Sequence, residues 1–382
     1  MSATLFYKSL TILTLALASY STCRLALADW LFRANTPASV ARAAAIDPDN
    51  AGYHAWLAEI QEHDGRDPTA ELETAAKLNP SDSAILIRLG LRAESQGDFA
   101  RAERYLLEAA RIDKLFAPRW TLANYYVRVG DTGKFWPWAR QALDMGYGDL
   151  SPLFELGWRV SPKPDILPRQ HSVLGQYLTF LLAHDLVEAA DPVTERFLDQ
   201  ANPADSGVLL NYCDRLIERR SIAQALTIWN KLCVRKLVPF APLDPDQGRA
   251  LTNGDFQAVP LQQGFDWRTS QDPEISVTRA QSPPELRFHL SGKQPEHCEL
   301  LSQFVPLSLG RKYIFRFEYK TPISGLSWGG PISAADDWKS QEVALSEPGK
   351  LALLYDRPTG SARAEGEIWL RNTSIALAPR EP

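Results

Sequence analysis

Apolar residues recur at helical spacing through roughly the first two thirds of the chain and at alternate positions through the last third. Between Ser83 and Asp113 one stripe is Leu86, Leu89, Gly90 and Ala93, and the next is Ala102, Leu106 and Ala109. Gln96-Gly97-Asp98 lies between them as a turn, so the segment predicts two antiparallel helices. Small residues at Gly90 and Ala102 let the helices approach closely, while larger apolar residues fill the space between neighbouring hairpins. The next unit repeats the pattern: Leu122, Ala123 and Tyr126, a turn at 130–133, then Phe135, Ala139 and Ala142. Pro137 reads as part of the first turn of that second helix, where a missing N–H costs little.

A short phrase recurs with these pairs: Ala43–Pro48, Ala75–Pro80 and Ala109–Lys114, starting 32 and 34 residues apart. Such a period marks stacked helix pairs rather than one globular core. The unit at Tyr53–Pro80 is shorter and turns irregularly at Asp64–Pro68, and 29–48 reads as a worn first hairpin that caps the stack. Beyond Tyr147 the period breaks at Pro152, Pro162, Pro164 and Pro168, with a short helical piece at 153–158. Helical spacing resumes at Val173, Tyr177, Phe180 and Leu181, with a partner helix expected over Pro192–Leu198. A last hairpin carries Leu209, Tyr212 and Leu216 opposite Ala225, Trp229 and Leu232. Pro239, Pro242 and Pro245 then predict a stiff linker.

From Leu251 the periodicity becomes two. Ile275–Thr278, Leu286–Leu290, Tyr313–Tyr319, Leu351–Tyr355 and Glu367–Leu370 alternate between turn residues and predict an antiparallel two-sheet sandwich. The expected fold is therefore multidomain α + β. It comprises a signal peptide or single membrane anchor at 1–28, helical repeats at 29–148, divergent helical hairpins at 149–236, a linker at 237–250 and a β-sandwich at 251–382.

At the N-terminus, Lys8 precedes an apolar run through Tyr20, and Ala26-Leu27-Ala28 offers a cleavage site. The same stretch, extended from Leu5 to Ala28, would serve as an uncleaved anchor with Arg24 snorkelling near one end. Both readings place the chain in a cell envelope: anchored in the inner membrane facing the periplasm, or secreted to the periplasm.

Leu89, Gly90, Ala102 and Ala109 occupy the signature positions of the tetratricopeptide repeat, which this part resembles, with Lys114 replacing the usual closing proline. Leu251–Phe256 resembles the opening of galactose-binding-like jelly rolls, and Glu367–Asn372 their closing strand. Gly264–Arg268 resembles a phrase of exported bacterial tetratricopeptide proteins with such a tail. The resemblance implies a non-catalytic scaffold that binds proteins, with a role in exopolysaccharide assembly or export, or else a carbohydrate-binding protein acting through the jelly roll. It also implies a calcium ion near the first loop, for which Asn253 and Asp255 offer oxygens; an Asn-Gly-Asp turn forms equally without one.

Charge narrows the partners. A net charge of -5 without a basic stripe argues against nucleic acid. The candidate groove residues are His54, Arg88, Arg92, Trp120 and Asn124, because a groove that grips carboxylates or peptide backbone needs donors and aromatic surface. For a glycan the candidates are Trp267, Arg268, Trp328, Trp338 and Asp336, with Ser327–Gly330 the barest stretch. Those tryptophans either face a sugar or fill the core; Trp369, in an alternating strand, is expected in the core. The six histidines form no metal or nucleophile motif, and no phosphate-binding or dinucleotide glycine pattern occurs, so no catalytic residue, metal or cofactor is expected. Cys213 and Cys233 lie on opposite arms of the last hairpin but out of register, which argues against a disulfide.

Overall fold

The computed structural model describes residues 3–163 and 167–379. Pro164 of the expected connector lies outside them. The chain packs as two compact units, Met1–Val173 and Leu174–Pro382. The boundaries expected at 236 and 251 therefore fall inside the second unit.

The first unit is a run of helix pairs: α1 (Ala3–Arg33) with α2 (Pro37–Ile46), α3 (Ala51–His63) with α4 (Thr69–Leu78), α5 (Ser83–Ser95) with α6 (Phe99–Ile112), and α7 (Phe116–Arg128) with α8 (Thr132–Leu143). A short α9 (Ser151–Val160) follows. The recurring phrase has a common job in each pair. Its first alanine, Ala43, Ala75 or Ala109, is fully buried. Its Asp or Asn closes the helix, as the N–H of Asp47, Asn79 and Asp113 donates to those same three alanine carbonyls at 2.8–2.9 Å. The turns repeat as well: Gly97 and Gly130 adopt φ of 81° and 78°, and the next residue, Asp98 or Asp131, caps the following helix.

Pro137 lies inside α8 rather than in its first turn, since the helix already begins at Thr132. Likewise Pro192 is interior to α11 (Val187–Leu198), not its start. In both, apolar packing holds the helix together across a lost backbone bond: Phe135 and Ala139, or Ala190 and Val193, are buried on either side.

Ion pairs tie each hairpin to the next. Arg88 reaches Glu62 at 2.8 Å, Arg128 reaches Glu94 at 2.6 Å, Lys134 reaches Glu103 at 2.8 Å, and Arg101 pairs with Glu73. The second unit continues the scheme, with Arg219 on Glu188 at 3.0 Å and Lys231 on Glu195 at 2.5 Å. These partners stand 26–36 residues apart, so the period outlives the apolar signature that carried it in the first unit. Most are exposed, and each stabilises by well under about 1 kcal/mol. The apolar stripes bind the stack.

The second unit opens with α10 (His171–Ala183), α11, α12 (Ser206–Glu218) and α13 (Ile222–Val234), and ends in two antiparallel five-stranded sheets. One sheet has the order β1 (Arg268–Thr269), β4 (His297–Val305), β9 (Gly349–Asp356), β6 (Leu326–Ser327), β7 (Pro331–Ile332). The other runs β2 (Ile275–Gln281), β3 (Pro284–Ser291), β10 (Glu365–Leu377), β5 (Tyr313–Thr321), β8 (Ala335–Leu345). Their inner faces share one core, in which Phe288, Phe315 and Phe317 meet Leu301, Leu353 and Tyr355. Cys213 faces the Ala225 carbonyl at 3.6 Å, and all four cysteines are free thiols.

The segment expected to be a stiff linker is packed. Leu237, Val238 and Leu243 are buried. Asn230 of α13 makes two hydrogen bonds to the Leu243 backbone, at 2.8 and 2.9 Å. Further on, Tyr313 of β5 donates to the Pro245 carbonyl at 3.1 Å.

At Gly90 of α5 an added Cβ would lie 2.7 Å from the Leu106 side chain and 3.3 Å from the Ala102 carbonyl oxygen. Gly90→Ala is expected to destabilise the first unit by about 1–3 kcal/mol through overpacking, read as a lower denaturation midpoint for that unit's transition. An unchanged midpoint would remove the close approach from the account.

Candidate functional site

The first helices of successive hairpins stand side by side. Arg88 of α5 donates to the Ala55 carbonyl of α3 at 3.2 Å, and Arg128 of α7 grips both oxygens of Glu94 on α5. The expected groove residues thus fall on three consecutive helices: His54 on α3, Arg88 and Arg92 on α5, Trp120 and Asn124 on α7.

Three of them have evident local partners. His54 is turned to its own hairpin, with Nδ1 2.6 Å from Glu71 and Nε2 3.0 Å from the Pro48 carbonyl. Arg88 is shared between Glu62 and the Ala55 carbonyl, and Arg92 lies 3.3 Å from Asp67. Asn124 donates to the Trp120 carbonyl at 2.9 Å, and among the described residues its side-chain oxygen accepts no hydrogen bond.

Trp120 belongs to an aromatic cluster that reading the sequence missed. Its ring stacks on Phe116, with centroids 6.2 Å apart, and Phe116 meets Tyr147 at 5.9 Å. Tyr147 is 71% exposed and the neighbouring Leu115 69%. A signal was present. The repeat phrase ends in Lys114 instead of proline, and the apolar Leu115-Phe116 follows where the other units place polar caps. Asp113 holds this corner, accepting from the Leu115 N–H at 2.8 Å and from the Ser83 hydroxyl at 2.8 Å.

The sandwich candidates divide. Trp267 and Trp328 are corrected as sugar platforms: both rings are fully buried. Trp328 packs on Phe315 and Phe317 at 4.7 and 4.8 Å, and Trp267 donates its indole N–H to the Asn253 carbonyl at 3.0 Å. The glycines at 329–330 do not bare the Trp328 ring, because the turn between β6 and β7 directs it into the core against Phe315, Phe317 and Trp267. Trp338 instead sits half-buried with the Arg371 guanidinium 3.9 Å from its centroid, and Asp336 is exposed. Trp369 is also corrected. Its strand neighbours Ile368 and Leu370 take the core positions, which turns Trp369 outward between Arg287 and Lys320. Trp338 and Trp369 therefore lie on the β2–β8 sheet, whereas Arg268 is elsewhere.

Arg268 belongs to the turn 264–268, which seats the sandwich on the last helical hairpin. Gly264 adopts φ 61° and donates its N–H to Asp214 of α12 at 2.7 Å; Arg268 pairs with that same Asp214 at 2.5 Å. A Cβ at Gly264 would fall 2.5 Å from the Trp229 ring. Phe265 meets Trp229 edge-on at 5.9 Å and Phe304 of β4 at 6.0 Å. Beside this turn a cleft of about 480 Å³ opens, bordered by Phe240, Arg249, Asn253, Asp255 and Thr373 among others. Asn253, one of the two expected calcium oxygens, is satisfied within the protein: it exchanges two hydrogen bonds with the Ala258 backbone. Asp255 accepts from the Gln257 N–H at 3.2 Å. Among the described residues no three His, Cys, Asp or Glu side chains gather as a metal site.

Burial raises the Asp214 carboxyl above the ordinary aspartate value despite Arg268. It pushes Asp266, which is fully buried, up to about 6, partly offset by the N–H of Leu261. Such shifts also mark catalytic carboxylates. Here they have a packing cause, since one carboxyl anchors a turn and the other accepts from the backbone inside it.

No family model and no curated protein sequence matches the chain. Among solved structures it is similar to PilF of Pseudomonas aeruginosa, at 17% identity over 57% of this chain and 91% of that one, with a TM-score of 0.28. It is similar to yeast Tom70 at 15% identity over 56% of this chain and 43% of that one, with a TM-score of 0.28. It is similar to YrrB, described as a TPR protein with an unusual peptide-binding site, at 12% identity over 53% and 94%, with a TM-score of 0.26. Likenesses at this level carry no argument about function. The helical-repeat reading rests on the stacked pairs themselves.

Asp266 binds a proton more readily folded than unfolded, so by linkage it withdraws stability as pH rises from about 4 to about 6. Asp266→Asn is expected to raise stability at pH 7 relative to pH 4.5 by roughly 2–3 kcal/mol compared with the native chain. Parallel pH–melting curves for the two proteins would contradict it.

Proposed function

We propose that this protein is a non-catalytic, envelope-associated scaffold whose tetratricopeptide-type repeats hold a partner protein on the face formed by α3, α5 and α7. The observation that carries this reading is the corner at the start of α7, where the half-buried rings of Phe116 and Trp120 stack beside the exposed Leu115 and Tyr147, next to a helix that carries Arg92. Aromatic rings and arginine dominate the energetics of protein interfaces, because they bury large areas with little loss of side-chain freedom. Asn124 adds an unused acceptor for a partner N–H. The apolar N-terminal helix supports placing the scaffold at a membrane of the envelope.

A second reading is favoured by Trp338 and Trp369. Two half-buried indoles flanked by Arg371, Arg287 and Lys320 suit an acidic glycan, with the rings stacking on sugar faces and the cations taking carboxylates. The jelly-roll resemblance and a role in exopolysaccharide assembly or export belong to this reading.

A photo-crosslinking residue placed at Trp120 or Asn124 of the full chain is expected to capture one discrete protein in cells. The same residue at Arg104, exposed on α6, is expected to capture none. No adduct from α7, together with retention of the chain on acidic polysaccharide that Trp369→Ala abolishes, would replace the first reading with the second.

A further inference from the structure

Helix α1 serves two surroundings. Its C-terminal turns belong to the first hairpin: Ala28 is fully buried in a cluster with Ala43, Ala44 and Tyr53, against which Leu31 and Phe32 pack. Phe32 meets the Tyr53 ring at 4.8 Å and Trp56 at 6.4 Å. Asn35 then ends the helix at φ 50° and accepts from the Trp56 indole N–H at 2.7 Å, so the corner is held by the next pair's own first helix. Before Ala28 the helix leaves the hairpin's core. Residues 7–27 are exposed throughout, including Leu10, Ile12, Leu13, Leu15 and Leu17.

We infer that α1 is an uncleaved membrane helix whose last two turns are built into the first repeat, and that a lipid bilayer covers residues 7–27. The inference rests on the membrane placement in the proposed function and decides between its two forms. Two observations commit the bare face to lipid. First, length: 21 residues at 1.5 Å rise span about 31 Å, close to the roughly 30 Å hydrocarbon core. Second, the flanks: Tyr7 and Lys8 stand at one end, Arg24 and the 67% exposed Trp30 at the other, where amphipathic side chains reach the interface.

Cleavage after Ala28 is disfavoured by the same packing. It would place a new charged terminus beside Leu31 and Phe32 and delete an alanine that the hairpin buries completely. A signal peptidase needs its substrate extended across the site, and here the site lies in the middle of a continuous helix, Ala3–Arg33.

The test uses the full chain with a C-terminal tag, expressed in a bacterial host and fractionated, with carbonate-washed membranes analysed by intact mass. The expected product is the complete 42.7 kDa chain plus tag, retained in the washed membranes. Ala26→Leu, which removes a small residue from the A-x-A site at an exposed position, is expected to change the mass by the substitution alone and the location not at all. Hydrogen exchange in detergent is expected to protect residues 28–33 as strongly as α2. A product beginning near Asp29, or one that lengthens in Ala26→Leu, would overturn the inference. So would a full-length chain released by carbonate, because protein rather than lipid would then cover the helix. Crosslinking from Trp120 reads partner binding separately, so failure of one reading leaves the other measurable.

Discussion

The second unit depends on one half-buried carboxylate. Asp214 of α12 receives the Gly264 N–H and the Arg268 guanidinium, and this fixes the turn whose Phe265 and Trp267 enter the cores on either side. The turn works only with glycine at 264, since the Trp229 ring occupies the space of a side chain. The last helical hairpin thereby becomes one wall of the sandwich. Removing either partner leaves the other half-buried without its counter-charge. The packed 237–250 segment adds to the seam, bonded on one side to Asn230 and on the other to Tyr313.

This arrangement gives the helical hairpins and the β-sandwich a structural reason to share one chain. Stacked hairpins leave an apolar face at each end, and an array must close both. In the first unit α1 closes the start by packing Ala28 and Phe32 over Tyr53. In the second unit the hairpin α12–α13 is closed by Phe265 and Phe240 against Trp229. Both caps extend beyond the hairpin that they close, one as the exposed part of α1 and one into the sandwich whose sheet displays Trp338 and Trp369.

What could be read from the sequence was local. The stripes through Gly90 and Ala102 and the turns before Asp98 and Asp131 use contacts within one hairpin, and the fold keeps them. Prolines misled, because Pro137 and Pro192 were taken as helix-start signals while tertiary packing carried both helices across them. In the sandwich, alternation gave the right strands, but assigning tryptophans by glycine neighbours failed for Trp328. Strand parity was the better guide: Ile368 and Leu370 already claim the inner positions, and that leaves Trp369 outside. The Asp214–Arg268 pair was illegible, since its members lie 54 residues apart and the phrase Gly264–Arg268 carries no sign of its partner. The same limit hid the corner of Phe116, Trp120 and Tyr147, whose members come from α7 and the loop after α8.

The central claim is that the helical array and the sandwich meet in one cooperative unit rather than across a linker. Native-state hydrogen exchange on the full chain tests it most directly. Amides of α12 and α13 and those of β4 and β9 are predicted to open together, with one common free energy and one denaturant dependence. Helical amides that exchange through a separate, lower-energy opening while the strands stay protected would contradict the account.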